Sequence, residues 1–367
     1  MPPIAKQLTG RLRGAWRKLF PQPLDRYEEP VQWHDLQAVC HHEWQDNPIL
    51  LEQWERLLAA VPTATTFHSP TWQRAVVETL GKKDRLRLIV VWRGLQLVGV
   101  LPLHMRDDGL LETLAPGVTD YLDPLVHPAH EADVWRITLQ LLAKLRAGRW
   151  RKVTLHNVRD DATLRSVLPE LAREEAFAYE SHVVENCPCL TLPTTWDAYL
   201  ATLDAHERKE TRRKVNKVMT KAGGRLVRCP ADPGAIAQAL PVALALMEQA
   251  PGEKGEAVKR VLRPLLERAA PPLIAQGRLW LDTLYVNDEP AACTLQFPHP
   301  TGPQLYNCGF DAAKREWSPG VVLTAEVIRE AIESGAKVFD LLRGQEPYKY
   351  KLGALDRPLW MVNLTKM

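Results

Sequence analysis

A hairpin, a helix and a strand are written into this sequence twice, in the same order. Leu86 to Trp92 is β-rich, Arg93-Gly94 supplies a turn and Leu97 to Leu103 is β-rich again, which makes a hairpin. A helix at about His130 to Arg146 and a strand at Lys152 to Val158 follow. Further on, Leu279 to Val286 and Ala291 to Phe297 flank the turn Asn287-Asp288, and Gln304 to Cys308 adds a strand. A helix then spans about Gly320 to Ser334, with Leu323, Val327, Ala331 and Ile332 on one face and Gly335 at its end, and Lys337 to Leu342 is a strand. The echo is one of pattern and not of residue identity, and it predicts a duplicated α/β unit. Length agrees, because 367 residues exceed the roughly 100–150 of a typical single domain. The expected divisions are an arm and linker at 1–30, a first unit at 31–185 and a second at 186–367.

Hydrophobic residues at 46% and charged residues at 25% are the balance of a folded globular chain. A net charge of +3 is too small to point to nucleic acid as a global partner, so DNA is not expected. Cysteines at 40, 187, 189, 229, 293 and 308 do not form a disulfide framework, and Cys187-Pro188-Cys189 lacks the two-residue spacing of redox and zinc motifs. No metal is expected, and the reducing cytoplasm is the expected compartment. No stretch approaches the roughly 20 apolar residues of a spanning helix. The segment from Met1 to Phe20 instead carries Lys6, Arg11, Arg13, Arg17 and Lys18 with Ile4, Leu8, Leu12, Trp16 and Leu19 at helical spacing. Such a basic amphipathic helix suits peripheral contact with the inner face of a membrane through residues 4–20, and a frayed arm or a helix docked on the protein itself is the plainer alternative.

Several common chemistries are absent. His42-Glu43 is not completed to His-Glu-x-x-His, and no Gly-x-Ser-x-Gly elbow, phosphate-loop Gly-x-x-x-x-Gly-Lys or dinucleotide glycine fingerprint occurs. One region remains distinctive. The strand ending at Asn307-Cys308-Gly309-Phe310-Asp311 is followed by Arg315-Glu316-Trp317-Ser318-Pro319-Gly320 and then a helix. Ser318 suits an N-cap, Pro319 the first helical position, and Gly320 close backbone approach. The free N–H groups and dipole of that helix start favour an anion, to which Arg315 adds charge. A well-capped helix and nothing more would look the same.

Arg315-x-x-Ser318-x-Gly320 resembles the pyrophosphate signature of the GNAT acetyltransferase superfamily, Gln/Arg-x-x-Gly-x-Gly/Ala, with Ser318 standing where the first glycine is usual. Other segments, in order, are Phe67-His68-Ser69-Pro70-x-Trp72, Gly99-x-x-Pro102-Leu103, Thr119-Asp120-Tyr121-Leu122-Asp123, Cys187-Pro188-x-Leu190-x-Leu192-Pro193, Trp196-x-x-Tyr199-Leu200, Arg208-Lys209-x-x-Arg212-Arg213-Lys214 and Phe339-Asp340-Leu341-Leu342-Arg343-Gly344-x-Glu346-x-Tyr348-Lys349. Together they resemble the acetyltransferase domain of CelD-type proteins of cellulose and exopolysaccharide synthesis, a group similar in turn to the FemAB peptidyltransferases. The resemblance implies two tandem GNAT-like units, each a mixed, mostly antiparallel sheet flanked by helices. It also implies acyl-coenzyme A, acetyl or longer, as co-substrate in the second unit, with Arg315, Ser318, Gly320 and Val321 at the pyrophosphate. The acceptor would be an amine or hydroxyl of a small molecule or a glycan or cell-envelope precursor.

Direct transfer needs a base for the nucleophile and an acid for the leaving thiolate. Asp340 or Glu346 is the candidate base and Tyr348 the candidate acid, while Arg343 and Lys349 are candidates for substrate contact. An Asp340–Arg343 ion pair would be the structural alternative. In the first unit, Asp120, Tyr121 and Asp123 suit recognition of an amine or sugar, with an Asx-type turn as the competing reading. The run Arg208 to Arg228 holds nine Lys/Arg and one acid, Glu210, and reads as a helix to Lys221 ended by Gly223-Gly224. Aminoacyl-tRNA, coenzyme A phosphates or plain solvent would each suit it, but the absence of stacking aromatics counts against tRNA. A FemAB-like aminoacyltransferase and a non-catalytic GNAT-like scaffold are the alternatives to an acyltransferase.

Overall fold

The computed structural model describes residues 29–81, 85–145 and 150–367. The amphipathic segment expected at residues 4–20 lies outside them, as does Arg146. The chain divides into two compact units: the residues up to Val183 together with Trp360–Met367, and Val184–Leu359. The expected division at 185/186 is a linear one. A linear division, however, cannot anticipate that the closing residues return to the first unit.

The first unit contains β1 (Val31–Trp33), β2 (Leu36–His41), α1 (Pro48–Ala60), α2 (Pro70–Thr79), β3 (Leu86–Arg93), β4 (Gln96–Met105), β5 (Leu110–Thr113), β6 (Leu125–Val126), α3 (Glu131–Lys144), β7 (Lys152–Arg159) and α4 (Leu164–Glu174). Its sheet runs β1-β2-β3-β4-β5-β7, antiparallel except for the parallel pair β5–β7, with β6 pairing β4. α2 starts on residue types that suit a helix start: Ser69 Oγ accepts from the Trp72 N–H at 3.2 Å and Pro70 fills the first turn. Ile89, Val91, Leu101, Leu103, Val153 and Leu155 face Trp135, Ile137 and Leu142 of α3 in one core.

β8 (Phe177–Thr191) leads into the second unit, which then holds α5 (Trp196–Thr202), α6 (Ala205–Asn216), β9 (Arg225–Arg228), α7 (Pro233–Glu248), α8 (Glu253–Ala257), α9 (Arg263–Ala275), β10 (Trp280–Val286), β11 (Glu289–Phe297), β12 (Gln304–Phe310), α10 (Pro319–Glu333), β13 (Val338–Asp340), α11 (Pro347–Lys351) and the start of β14 (Leu355–Lys366). Its strands run β8-β13-β12-β11-β10-β9, antiparallel except for β12–β13. Val322, Leu323, Val327, Ala331 and Ile332 of α10 pack with Leu284, Ala292, Leu305 and Phe339 of the sheet. Each unit is therefore a mixed, mostly antiparallel sheet with flanking helices, as expected.

The basic helix expected to reach Lys221 is α-helical only to Asn216, and a π turn spans Lys217–Lys221. The strand expected at Lys337 to Leu342 shortens to Val338–Asp340, because Leu342 takes a left-handed conformation, φ +52°. Strands β1, β2, β5 and β6 and helices α1 and α4 complete the first unit beyond the elements read from its pattern.

Candidate active site

β12 and β13 are parallel neighbours that share a single register pair, Gln304 with Asp340. Beyond it the chain after β13 follows β8 instead: Leu341 N–H donates to Pro188 O at 3.0 Å and Gly344 N–H to Asn186 O at 3.3 Å. β12 meanwhile continues to Phe310 against β11, with a register shift opposite Leu295 and Gln296. An irregularity of that kind bends a strand, and here the two parallel strands part. At Gly309, a methyl group would lie 2.4 Å from the Met247 backbone nitrogen, so only glycine lets α7 approach β12 there.

The segment between β12 and α10 is not a loop. It is a 3-10 helix, Ala312–Trp317, with Asp311 Oδ1 capping its start through the Ala313 N–H at 2.9 Å. Ser318 occupies the N-cap position of α10, but not in the expected way. Its side chain makes no capping bond, and its backbone is left-handed, φ +49° and ψ +49°. The physical reason is that Ser318 joins two helices of different direction, and the joint needs a positive φ, which glycine adopts freely. The serine therefore stands at a position whose conformation is the one a glycine would supply. Arg315 is exposed, and no side-chain hydrogen bond or ion pair engages it among the described residues. Gly320 is half-buried, and a methyl there would meet Phe310 at 3.3 Å. These features suit a polyphosphate: a free guanidinium, a glycine at the helix start and backbone N–H groups of Gly320 and Val321.

Three candidate chemical groups gather at the gap. Tyr348 on α11 shares a side-chain hydrogen bond with Cys308 of β12. Burial, then Cys308 and Glu346, push the Tyr348 phenol above its ordinary range, so it keeps its proton. Glu346 lies 3.1 Å from Lys349 Nζ and 3.6 Å from Lys254 Nζ. Burial would raise its carboxyl, but the Lys349 and Lys254 charges outweigh it and hold the group below the usual carboxylate range. Its Oε2 is buried and takes no well-aligned hydrogen bond, despite the nearby ammonium. Burial raises the Cys308 thiol, against the pull of Lys254 and Lys349.

Asp340 and Lys349 are placed differently from their expected roles. Asp340 Oδ1 accepts from the Leu342 N–H at 2.8 Å and from the Cys189 thiol at 3.4 Å, which holds the turn after β13. Lys349 Nζ donates to the carbonyls of Leu342 (3.2 Å), Arg343 (2.9 Å) and Gly344 (3.0 Å). Its side chain is 3% exposed and all three donors are used, so it braces the turn from inside and leaves no hydrogen for a substrate. Arg343 is half-buried on that turn.

The first-unit candidates are also internal. Asp123 faces Arg159 with both oxygens, 3.0 Å to Nε and 2.6 Å to Nη2. Tyr121 is buried against Phe67, and the Arg159 guanidinium lies 5.5 Å from its ring centre. Asp120 is 7% exposed. The adjoining cavity of about 20 Å³, lined by Trp54, His68, Tyr121 and Asp123, admits a water and not a sugar. His68 accepts from the Thr65 N–H at 3.0 Å through Nδ1 and reaches Asp123 O at 2.9 Å through Nε2. Trp54 Nε1 and Gln73 Nε2 donate to the carbonyls of His68 and Phe67. The Phe67-to-Trp72 motif thus organises the core of the first unit.

Sequence reasoning missed Cys308 and Lys254. Cys308 ends a β-rich run like any core cysteine, and Lys254 lies nearly a hundred positions from Glu346, so neither has a local signal. Among the described residues no cluster of His, Cys, Asp and Glu could hold a metal, and no helix is long and apolar enough to cross a membrane.

Residues 205–350 match the acetyltransferase (GNAT) domain family, a stretch that lies within the second unit and includes both the 315–321 segment and Tyr348. Over those residues the chain is similar to GNAT-type acetyltransferase domains. Among solved structures, FemX is similar at 10% identity over 85% of this chain and 95% of that one, with a TM-score of 0.59. The C-terminal domain (DUF2156) of a proposed lysylphosphatidylglycerol synthetase from Agrobacterium fabrum is similar at 11% identity over 85% and 91%, TM-score 0.55. A conserved protein of unknown function from Bacteroides thetaiotaomicron is similar at 14% identity over 86% and 97%, TM-score 0.54. At these identities the likeness is one of fold. No curated protein matches the sequence significantly.

Proposed function

We propose that the second unit moves an acyl group from acyl-coenzyme A directly to an amine or hydroxyl. The observation that carries this reading is the parting of β12 and β13 beside the Arg315–Val321 segment, with Tyr348 and Glu346 at the gap. Gly320 and Val321 N–H groups and Arg315 would hold the pyrophosphate, and the open edge of β12 would take the extended pantetheine arm. Glu346 is ionised near neutrality and accepts the nucleophile's proton as its nitrogen or oxygen bonds to the thioester carbonyl carbon. The carbon–sulfur bond then breaks, and Tyr348 gives its proton to the departing thiolate. Tyr348 regains a proton from solvent or from Glu346, which closes the cycle. Asp340 is the weaker base, since its Oδ1 already serves two donors. The motif resemblance supports an acceptor on an exopolysaccharide or cell-envelope precursor or a small metabolite.

The first test is thermal shift with acetyl- and longer acyl-coenzyme A. Binding to the native state raises the melting temperature by mass action, by about 2.7 kcal/mol of stability at a hundredfold excess over Kd. No shift with any chain length sinks the donor assignment. The exposed cations Arg212 and Arg213 of α6 favour one second reading, an aminoacyl-tRNA donor. It requires steeply salt-dependent tRNA binding, lost on reversing those charges.

A further inference from the structure

The π turn at Lys217–Lys221 follows directly on the basic helix α6, and its first residue reaches the segment that leads into α10. Lys217 Nζ donates to the Glu316 carbonyl oxygen at 3.0 Å, and the same ammonium lies 4.3 Å from the Trp317 ring centre. One cation thus holds two successive residues, 316 and 317, immediately before the left-handed Ser318. A π turn adds a residue to a helical turn and rotates everything after it. Lys217 makes this reach while the cations just before it serve elsewhere: Arg212 pairs with Asp197 at 3.0 Å and Arg213 with Glu210 at 2.8 Å. The Glu316 carbonyl belongs to a short 3-10 helix, whose last carbonyls have no partner within the helix. An ammonium with two further N–H donors and a half-exposed side chain meets that need and keeps positive charge beside Arg315.

We propose that Lys217 is a positioning residue of the donor site: it fixes the 315–318 segment in its binding conformation and thereby sets the affinity for the acyl donor. The inference rests on the acyl-coenzyme A reading of that site for its kinetic half. Its structural half concerns the ligand-free protein and stands independently. The basic run then serves the donor site through one residue, and the rest of the α6 cations are solvated or locally paired.

The test compares wild type with Lys217→Ala, Lys217→Arg and Lys209→Ala. Lys209 is exposed on the same helix, so its removal changes net charge equally without touching the segment. Amide hydrogen exchange is measured in the ligand-free protein, and KM and kcat are measured for acetyl-coenzyme A. Lys217→Ala is expected to speed exchange at residues 316–321 and raise KM for the donor about tenfold, equivalent to about 1.4 kcal/mol. kcat and KM for the acceptor should hold, Lys217→Arg should restore most of the donor KM, and Lys209→Ala should match wild type. Unchanged exchange at 316–321 overturns the inference whatever the donor is. Faster exchange with an unchanged donor KM overturns the positioning role. An equal rise in KM for Lys209→Ala shows a diffuse field and overturns it too. If wild type binds no acyl-coenzyme A, the donor reading fails and the exchange result alone decides whether Lys217 holds the segment.

Discussion

Asp123 and Arg159 meet side-on in the interior of the first unit, 3.0 Å and 2.6 Å apart at their two contacts, with the Asp123 side chain 8% exposed. The pair ties the segment before β6 to the end of β7. Arg159 also donates to Thr63 O, so one guanidinium fastens three stretches of chain. A surface ion pair would contribute little; a buried one is costly to break, because its remaining member is stranded.

Asp123→Asn should therefore destabilise the protein by about 3–5 kcal/mol, read as a lower urea midpoint without a change in slope. A shift under about 1 kcal/mol would mean the pair is not holding the unit together.

Acid should unfold the protein in two overlapping stages. Burial, and then the neighbouring His42, lower His41 to about 4, and burial also lowers His68. Both folded values lie below the ordinary histidine range near 6.5, so their contributions are complete above it; that of His41 fades as pH falls towards 4, and that of His68 as pH falls through its own lowered value. Burial would raise the Asp123 carboxyl, but Arg159 outweighs it and the group titrates below its usual range. Its contribution is complete above about 4 and is lost as pH drops through the lowered value. Urea midpoints between pH 7 and pH 3 should fall continuously; a flat profile from 6.5 to 4 would refute the histidine part.

Ser318→Gly should leave the protein as stable or up to about 1 kcal/mol more stable, since relief of the left-handed strain offsets the greater freedom of the unfolded chain. Ser318→Val should lose at least about 1 kcal/mol. Chemical unfolding of the two variants checks the order, and the reverse order would refute the backbone argument. Donor affinity should survive in Ser318→Gly, because the segment's conformation is the one glycine takes most readily.

Lys349→Met keeps the volume but strands three carbonyls of the 342–344 turn. We expect a loss of about 3 kcal/mol or more in stability, together with loss of activity. A stable Lys349→Met protein with only a raised acceptor KM would instead return Lys349 to the substrate contacts expected from the motif.

Tyr348→Phe and Glu346→Gln test the transfer step itself. Each should cut kcat by about a hundredfold or more while leaving donor KM nearly unchanged, as expected for a group used in proton transfer. Because Glu346 is held below the usual carboxylate range, the acidic limb of the kcat profile should lie below that range and vanish in Glu346→Gln. Full activity in Tyr348→Phe removes the acid.

The repeated order of hairpin, helix and strand was legible because alternation and helical periodicity are local signals. The capped start of α2, the start and end of α10 and the Phe339-to-Lys349 motif could be read for the same reason. Local signals do not say where a side chain spends its hydrogen bonds. Lys349 and Asp123 look like substrate groups in a motif and Asp340 like a base, yet each is consumed by partners that only the folded chain supplies: three turn carbonyls for Lys349, Arg159 for Asp123, and the Leu342 N–H with Cys189 for Asp340. The sequence by itself determined the two-unit α/β architecture and the anion-friendly segment before α10, since both follow from residue type and spacing. Tertiary structure alone decided that β12 and β13 part, that Ser318 turns left-handed, that Cys308 meets Tyr348 and that Lys217 reaches Trp317. Those outcomes depend on contacts between residues far apart in the chain, which periodicity does not record.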